Sequence, residues 1–298
     1  MIEGIVVEGL IYGIMVLGVF ITFRILDFPD LTVDGTFPFG AAIVAVLITN
    51  GFNMWFAMFV ALCGGLLAGV VTAVIHNKLK IPSLLAGILT MTMLYSINIR
   101  VLGNRANLPL LKSETILTRV TAIFQNVMPR EYAILFFFVV VTAIIWVLFT
   151  LFFHTDLGLT LGALGNNEQM VVTQGVNPET MKIIGVGLAN GLVAVSGAFT
   201  AQYQGFADVG LGQGIIISGL ASVMIGEFLI RTNKIGLLAV RAILGSILFK
   251  GIMYAGRYYG YYINMTPNDL KLITGVLIII SLVLTKFRNI RVKKRTFL

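Results

Sequence analysis

The sequence predicts an all-α fold, a polytopic bundle of transmembrane helices with about 8–9 spanning segments. Three observations predict it. Of 298 residues, 58% are hydrophobic and 11% are charged. Soluble domains carry about a quarter charged residues, so this chain has too few to coat a surface facing water. Apolar runs recur along the chain, several long enough to cross a hydrocarbon core, which takes roughly 20 residues as a helix. Stretches such as AIVAVLITN, AILFFFVVVTAIIWVLF and LITGVLIIISLVL do not alternate polar with apolar residues, as the strands of a membrane barrel must. In lipid every backbone polar group needs an internal partner, so non-alternating runs read as helices.

The expected helices cover 4–24, 36–50, 53–77, 81–101, 131–152, 181–202, 212–230, 234–257 and 269–287. The first has Glu3 and Glu8 near its start, with no basic leader or cleavage context, and reads as a span rather than a removed signal. The second is short for a crossing, follows Pro29 and contains Pro38. It is therefore either broken or only partly spanning, which leaves the count at eight or nine. A single membrane domain, 1–298, accommodates the whole set. Cys63 lies alone in an apolar stretch, so an intrachain disulfide is excluded.

Basic residues orient the helices. The net charge of +8 is concentrated in the tail 285–298, where Lys286, Arg288, Arg291, Lys293, Lys294 and Arg295 follow a spanning segment. Such a run reads as a cytoplasmic anchor on anionic headgroups, not as a nucleic-acid site. Counting back places Arg231, Lys234, Lys182, the segment 153–180, Lys78, Lys80 and Arg24 inside, and the N-terminus outside if there are nine spans. The segment 102–130 then falls outside despite Arg105, Lys112, Arg119 and Arg130 against Glu114. It could cover a pore mouth, dock an external partner, or be a plain structured loop.

The inner interruption 153–180 is heavily punctuated. Asn166 or Asn167 can cap a short helix, with Glu168 in its first turn, where the helix dipole favours an acid. Gly175 can end that helix. Asn177 caps again, with Pro178 at the first helical position. A short helix between two spans, on the side of the basic tail, is shaped to contact something cytoplasmic. Two further segments, DLTVDGTFPFGAAIVAVLI and ADVGLGQGIIISGLASVMIG, share a layout of acid, glycines and small-residue helix. They would run in opposite directions, which fits either an inverted repeat of the transporter kind or chance similarity of Gly-rich segments.

Neutral polar residues inside spans, Thr90, Ser96, Asn190, Ser196, Thr200, Gln202, Ser218 and Ser222, could line a route for a small polar solute or tie helices together. Ionisable residues in apolar runs are few: Glu8, Glu227, Arg241, Lys250 and Arg257, with Glu227 and Arg231 spaced to pair on one helix face. No carboxylate pair stands at the expected midplane, which counts against proton-coupled transport. No GxxxxGK[ST] loop, no clustered catalytic set and no metal-ligand cluster occurs. The chain reads as neither an ATPase nor another enzyme, with no catalytic residue, metal or cofactor of its own.

The stretch LGALGNNEQMVVTQGVNPETMKIIGVGLANGLVAVSGAF resembles the permease subunits of bacterial ABC importers of the branched-chain amino acid type. The correspondence runs through Ala163–Asn167, Glu168, Gly175–Val176–Asn177, Lys182 and Gly185–Gly197. DFPDLTVDGTFPFGAA is closest to the subgroup assigned to tryptophan, tyrosine or undefined substrates. The resemblance implies a bacterial inner-membrane protein that pairs with a second permease copy and takes substrate from an extracytoplasmic binding protein. It also implies two cytoplasmic ATPase subunits, which hold ATP with Mg and push on a coupling helix of Asn166, Asn167, Glu168, Gln169, Met170, Val171, Val172, Gly175 and Asn177. Better-known members lead into that helix with charged residues. The uncharged LGALGNN here implies a contact based more on shape. The other readings are an ATP-independent channel, a secondary carrier, or a membrane scaffold.

Overall fold

In a computed structural model the described residues are 2–111, 113–230, 232 and 234–260, with 272, 275, 276 and 279. The expected ninth helix, 269–287, lies almost wholly outside the described residues, and the basic tail 285–298 lies wholly outside them. Arg231 and Lys112 are also outside.

Helix α1, Ile2–Phe20, continues through a π turn, Ile21–Ile25. It is followed by α2 Val33–Thr49, α3 Met54–Leu79 and α4 Ser83–Val101. Strand β1, Asn107–Pro109, and helix α5, Ile116–Phe124, precede α6, Arg130–Phe153. Then come α7 Asp156–Asn166, α8 Glu168–Thr173 and α9 Pro178–Gln204. Strand β2, Phe206–Asp208, and a 3-10 turn, Val209–Gly212, lead into α10 Ile215–Leu229 and α11 Ile235–Gly260. Among the described residues seven helices are long and apolar enough to cross a membrane, and α2 is a shorter apolar helix.

The helix α9 is the centre of the bundle, packed on α3, α2 and α1, while α1 also packs on α11. Small residues permit the close approach. A Cβ on Gly69 of α3 would stand 2.8 Å from the Val186 carbonyl carbon and 2.9 Å from Gly187 Cα. On α1, a Cβ at Gly9 would stand 2.6 Å from Ile247 Cα of α11. The peripheral helices α3, α4 and α6 turn large apolar side chains outward, among them Phe59, Leu67, Leu84, Phe136, Leu148 and Leu151, as lipid contact requires.

Expected and observed helices agree in order, with shifted ends: α2 begins at Val33 and α9 extends over 178–204. Two findings concern the interruptions. The segment 102–130 carries a strand and a helix. Its β1 pairs antiparallel with β2, Leu108 opposite Ala207, and its α5 is held by the Ile116 amide donating to Gln202 Oε1 at 2.9 Å. The segment 153–180 contains α7 as well as the expected short helix. One end of the bundle thus carries the β1–β2 ribbon and the other carries α8.

Candidate coupling helix and solute path

The α8 end is built from successive caps. Thr155 Oγ1 accepts from the Gly158 amide at 3.3 Å and starts α7. Asn167, extended at φ −156°, ends α7 and caps α8, its Oδ1 accepting from the Met170 amide at 3.1 Å. Gly175, at φ +81°, turns the chain in the left-handed region that favours glycine. Asn177 Oδ1 then accepts from the Glu179 and Thr180 amides at 2.9 and 3.4 Å and starts α9 at Pro178. Lys182 of α9 donates to both carboxylate oxygens of Glu168 at 3.1 Å, which fixes α8 against the bundle.

Burial divides the apolar residues of α8 by role. Met170 and Val172 are half exposed, whereas Val171 is 1% exposed. Val171, a member of the expected coupling helix, thus anchors that helix from beneath rather than facing outward. Asn166 belongs to the last turn of α7, and Gln169 is exposed in the first turn of α8. The α7–α8 unit rests on the π turn of α1, where Gly165 touches the Ile25 and Leu26 backbone.

Beyond that turn the chain climbs back into the bundle. Asp30 is fully buried. Its Oδ1 accepts from the Thr32 amide at 2.9 Å and its Oδ2 from Asn190 Nδ2 at 2.7 Å. Asn190 Oδ1 accepts from Thr36 Oγ1 at 2.8 Å, and Thr32 and Thr72 share a hydroxyl hydrogen bond of 2.8 Å. Asn190 lies near the middle of α9, so α2 starts deep within the bundle, which is why it is too short for a full crossing. The next acid, Asp34, caps a different helix. Its two oxygens accept from the Gly214 and Ile216 amides of α10 at 3.0 and 2.9 Å. The cap residue of α10 is Gly214, which has no side chain to do this. The two segments of shared layout therefore meet at their N-terminal ends. In each, an Asp (Asp30 or Asp208) accepts from the amide two residues on.

Sequence reasoning passed over Asp30 and Asp34 as deep acids. Asp30 two residues before Thr32 fits a local turn bond to the Thr32 amide, but the longer-range partners lie in α9 and at the start of α10. The expected pairing of Glu227 with Arg231 falls outside the described residues, and Glu227 has two other partners. Its Oε1 is held by Arg24 Nε at 2.9 Å and by buried Arg241 at 3.0 Å.

Of the residues expected on a solute path, Ser196, Gln202 and Asn190 link helices, while Thr90, Thr200 and Ser222 bond within their own helices. Ser196 donates to the Ile11 carbonyl at 2.7 Å, Thr200 to the Ser196 carbonyl at 2.9 Å, Thr90 to the Ala86 carbonyl at 3.1 Å and Ser222 to the Ser218 carbonyl at 2.8 Å. Gln202 bridges Ile116 and the Met58 sulfur, and Asn190 belongs to the Asp30 cluster. Ser96 is exposed on α4. Ser218 borders a cavity of about 380 Å³ between α1, α10 and α11. A second cavity, about 250 Å³, lies between α2, α4 and the 3-10 turn, against Asp34, Tyr95, Asn98 and Gln213. Asn98 is buried and donates to the Gly35 carbonyl at 3.1 Å, while its Oδ1 has no partner among the described residues.

Long apolar helices packed into one bundle with cavities between them define a multi-spanning membrane protein. The chain belongs to the family described as branched-chain amino acid transport system / permease component, whose pattern matches residues 1–282. It is therefore a permease component of an ABC-type importer for a small solute. It is 39% identical over 293 residues to the tyrosine transport system permease protein of Clostridioides difficile (strain R20291), covering 98% of this chain and 94% of that one. It is 30% identical over 275 residues to the uncharacterized protein RP368 of Rickettsia prowazekii (strain Madrid E), covering 92% and 94%. A solved structure, PsaBC from Streptococcus pneumoniae in complex with Fab, is alike in fold, with a TM-score of 0.52, 17% identity and coverage of 93% and 89%.

Proposed function

We propose that this chain forms the alternating-access path for an amino acid in the plasma membrane of a bacterium, driven by ATPase subunits that grip α8. The observation that carries the coupling role is the build of α8: capped by Asn167, stapled by Glu168 to Lys182, anchored by Val171, and presenting Met170, Val172 and Gln169 outward. A partner can shift the permease only by its different affinity for two states, so it needs a grip that does not itself yield.

In this reading the α8 end and the basic tail 285–298 face the cytoplasm and the β1–β2 end faces outward. Arg24, Lys78 and Lys182 cluster at the α8 end, paired with Glu227, Glu179 and Glu168, which supports the orientation. The partners are a second permease copy as homodimer, two ATPase subunits holding ATP with Mg, and an extracytoplasmic binding protein. The meeting of α2 and α10 at their N-terminal ends supports the inverted-repeat layout. An amino acid substrate, with tyrosine as first candidate, follows the family and the Clostridioides difficile relative.

The test is uptake of radiolabelled L-tyrosine, and of leucine, into proteoliposomes holding the full complex, with and without enclosed ATP. Uptake should require ATP and vanish in Met170→Asp/Val172→Asp while the variant still inserts and folds. Equal flux without ATP would favour a channel or carrier and contradict the proposal.

A further inference from the structure

The cavity of about 380 Å³ at the β1–β2 end is lined by charges of both signs. It falls in the roughly 300–1,000 Å³ range of small-molecule sites. Its walls carry Glu8 and Tyr12 from α1, Ser218 from α10, and Lys250, Tyr254 and Arg257 from α11. Lys250 donates to Glu8 Oε2 at 3.2 Å and stands 3.3 Å from the centroid of the Tyr12 ring. Arg257, by contrast, is exposed and makes no hydrogen bond or ion pair among the described residues.

Charges of both signs facing one cavity select among ligands. A simple anion could take Arg257 but would face the Glu8 carboxylate. A simple cation could take Glu8 but would face two cations. A zwitterion satisfies both at once, its carboxylate on the Arg257 guanidinium, which offers a planar fork of donors, and its ammonium on Glu8. The neighbouring Tyr254 ring offers a face for an aromatic side chain.

We infer that this vestibule is a receiving site for a zwitterionic aromatic amino acid, with Arg257 gripping the carboxylate and Glu8 the ammonium. This deepens the reading of the chain as an amino acid permease and rests on it. The vestibule lies at the end assigned to the outside, where solute would be handed over.

The test uses the purified full chain in nanodiscs and equilibrium binding of tritiated L-tyrosine, with tyramine and 3-(4-hydroxyphenyl)propionate as competitors. Tyrosine should bind saturably, and each competitor, lacking one charge, at least tenfold more weakly. Arg257→Met should weaken tyrosine at least tenfold and erase its advantage over tyramine. Because Arg257 is exposed and makes no pair among the described residues, this variant should fold. Glu8→Gln should instead erase the advantage over the propionate. No saturable binding, or binding whose discrimination both variants leave intact, would overturn the site. ATP-driven amino acid uptake by the complex together with either of those results would overturn the vestibule alone. Absence of any such uptake would overturn the amino acid reading beneath it.

Discussion

The approach to α2 and the helix α8 are both short, capped, punctuated segments, yet they are secured by opposite means. Asp30 and its neighbours are buried and bound to α3 and α9 by side-chain hydrogen bonds that exclude water. Glu168 and Asn167 lie at the surface, where each contact competes with solvent. In the interior an unmatched polar atom is expensive, so the cluster holds one geometry. At the surface an ion pair contributes little, so α8 keeps its shape mainly through caps and the buried Val171. The difference suits the proposed division of labour: a stiff interior around the solute route, and an outer handle whose side chains are left available to a partner.

Substitutions at the two regions should separate these roles. The largest effect is expected where backbones touch. Gly69→Leu would force α3 from α9, overpacking that costs about 1–3 kcal/mol or more. We expect loss of the monodisperse peak in detergent size-exclusion chromatography, and an unchanged peak and melting temperature would contradict the α3–α9 contact. Asp30→Ala leaves the Thr32 amide without its buried acceptor and Asn190 Nδ2 with the Val186 carbonyl alone, a loss of about 1–3 kcal/mol. Asp30→Asn should lose less, because the Asn190 amide can turn and Thr36 can accept as well as donate. Thermal melts of the two variants test that order, and equal melting would refute it. Asp34→Ala removes the borrowed cap of α10, worth about 1 kcal/mol. Faster hydrogen exchange confined to the start of α10 should report it. The smallest stability effect belongs to α8: Lys182→Met should change the melt by less than about 1 kcal/mol, yet lower ATP-driven uptake several-fold. A large melting change with intact uptake would reverse the comparison.

Legibility in the sequence followed the range of the forces. The long spans were readable because lipid imposes the same demand on every crossing, and the caps at Asn167, Gly175 and Asn177 because their partners lie within three residues or so. The helix α7 was not readable: LGLTLGALGN is rich in glycine and poor in helix-forming pattern, and its helix depends on packing against the end of α1. The β1–β2 ribbon joins segments far apart in the chain, and the Asp30–Asn190 bond spans 160 positions. Glu227 carried a plausible partner four residues away, and two more, Arg24 and Arg241, come from distant parts of the chain. Serine and threonine in spans gave no hint of direction, and most donate to carbonyls of their own helix or a neighbour.

Affinity purification of the tagged full chain from its native membrane in mild detergent, followed by mass spectrometry, reaches the proposed coupling most directly. The account predicts an ATPase recovered in stoichiometric amount with the native chain, and lost when Met170 and Val172 are replaced by aspartate although the permease remains intact. An ATPase retained equally by that variant, or a native chain that comes through alone and passes solute without ATP after reconstitution, would contradict it.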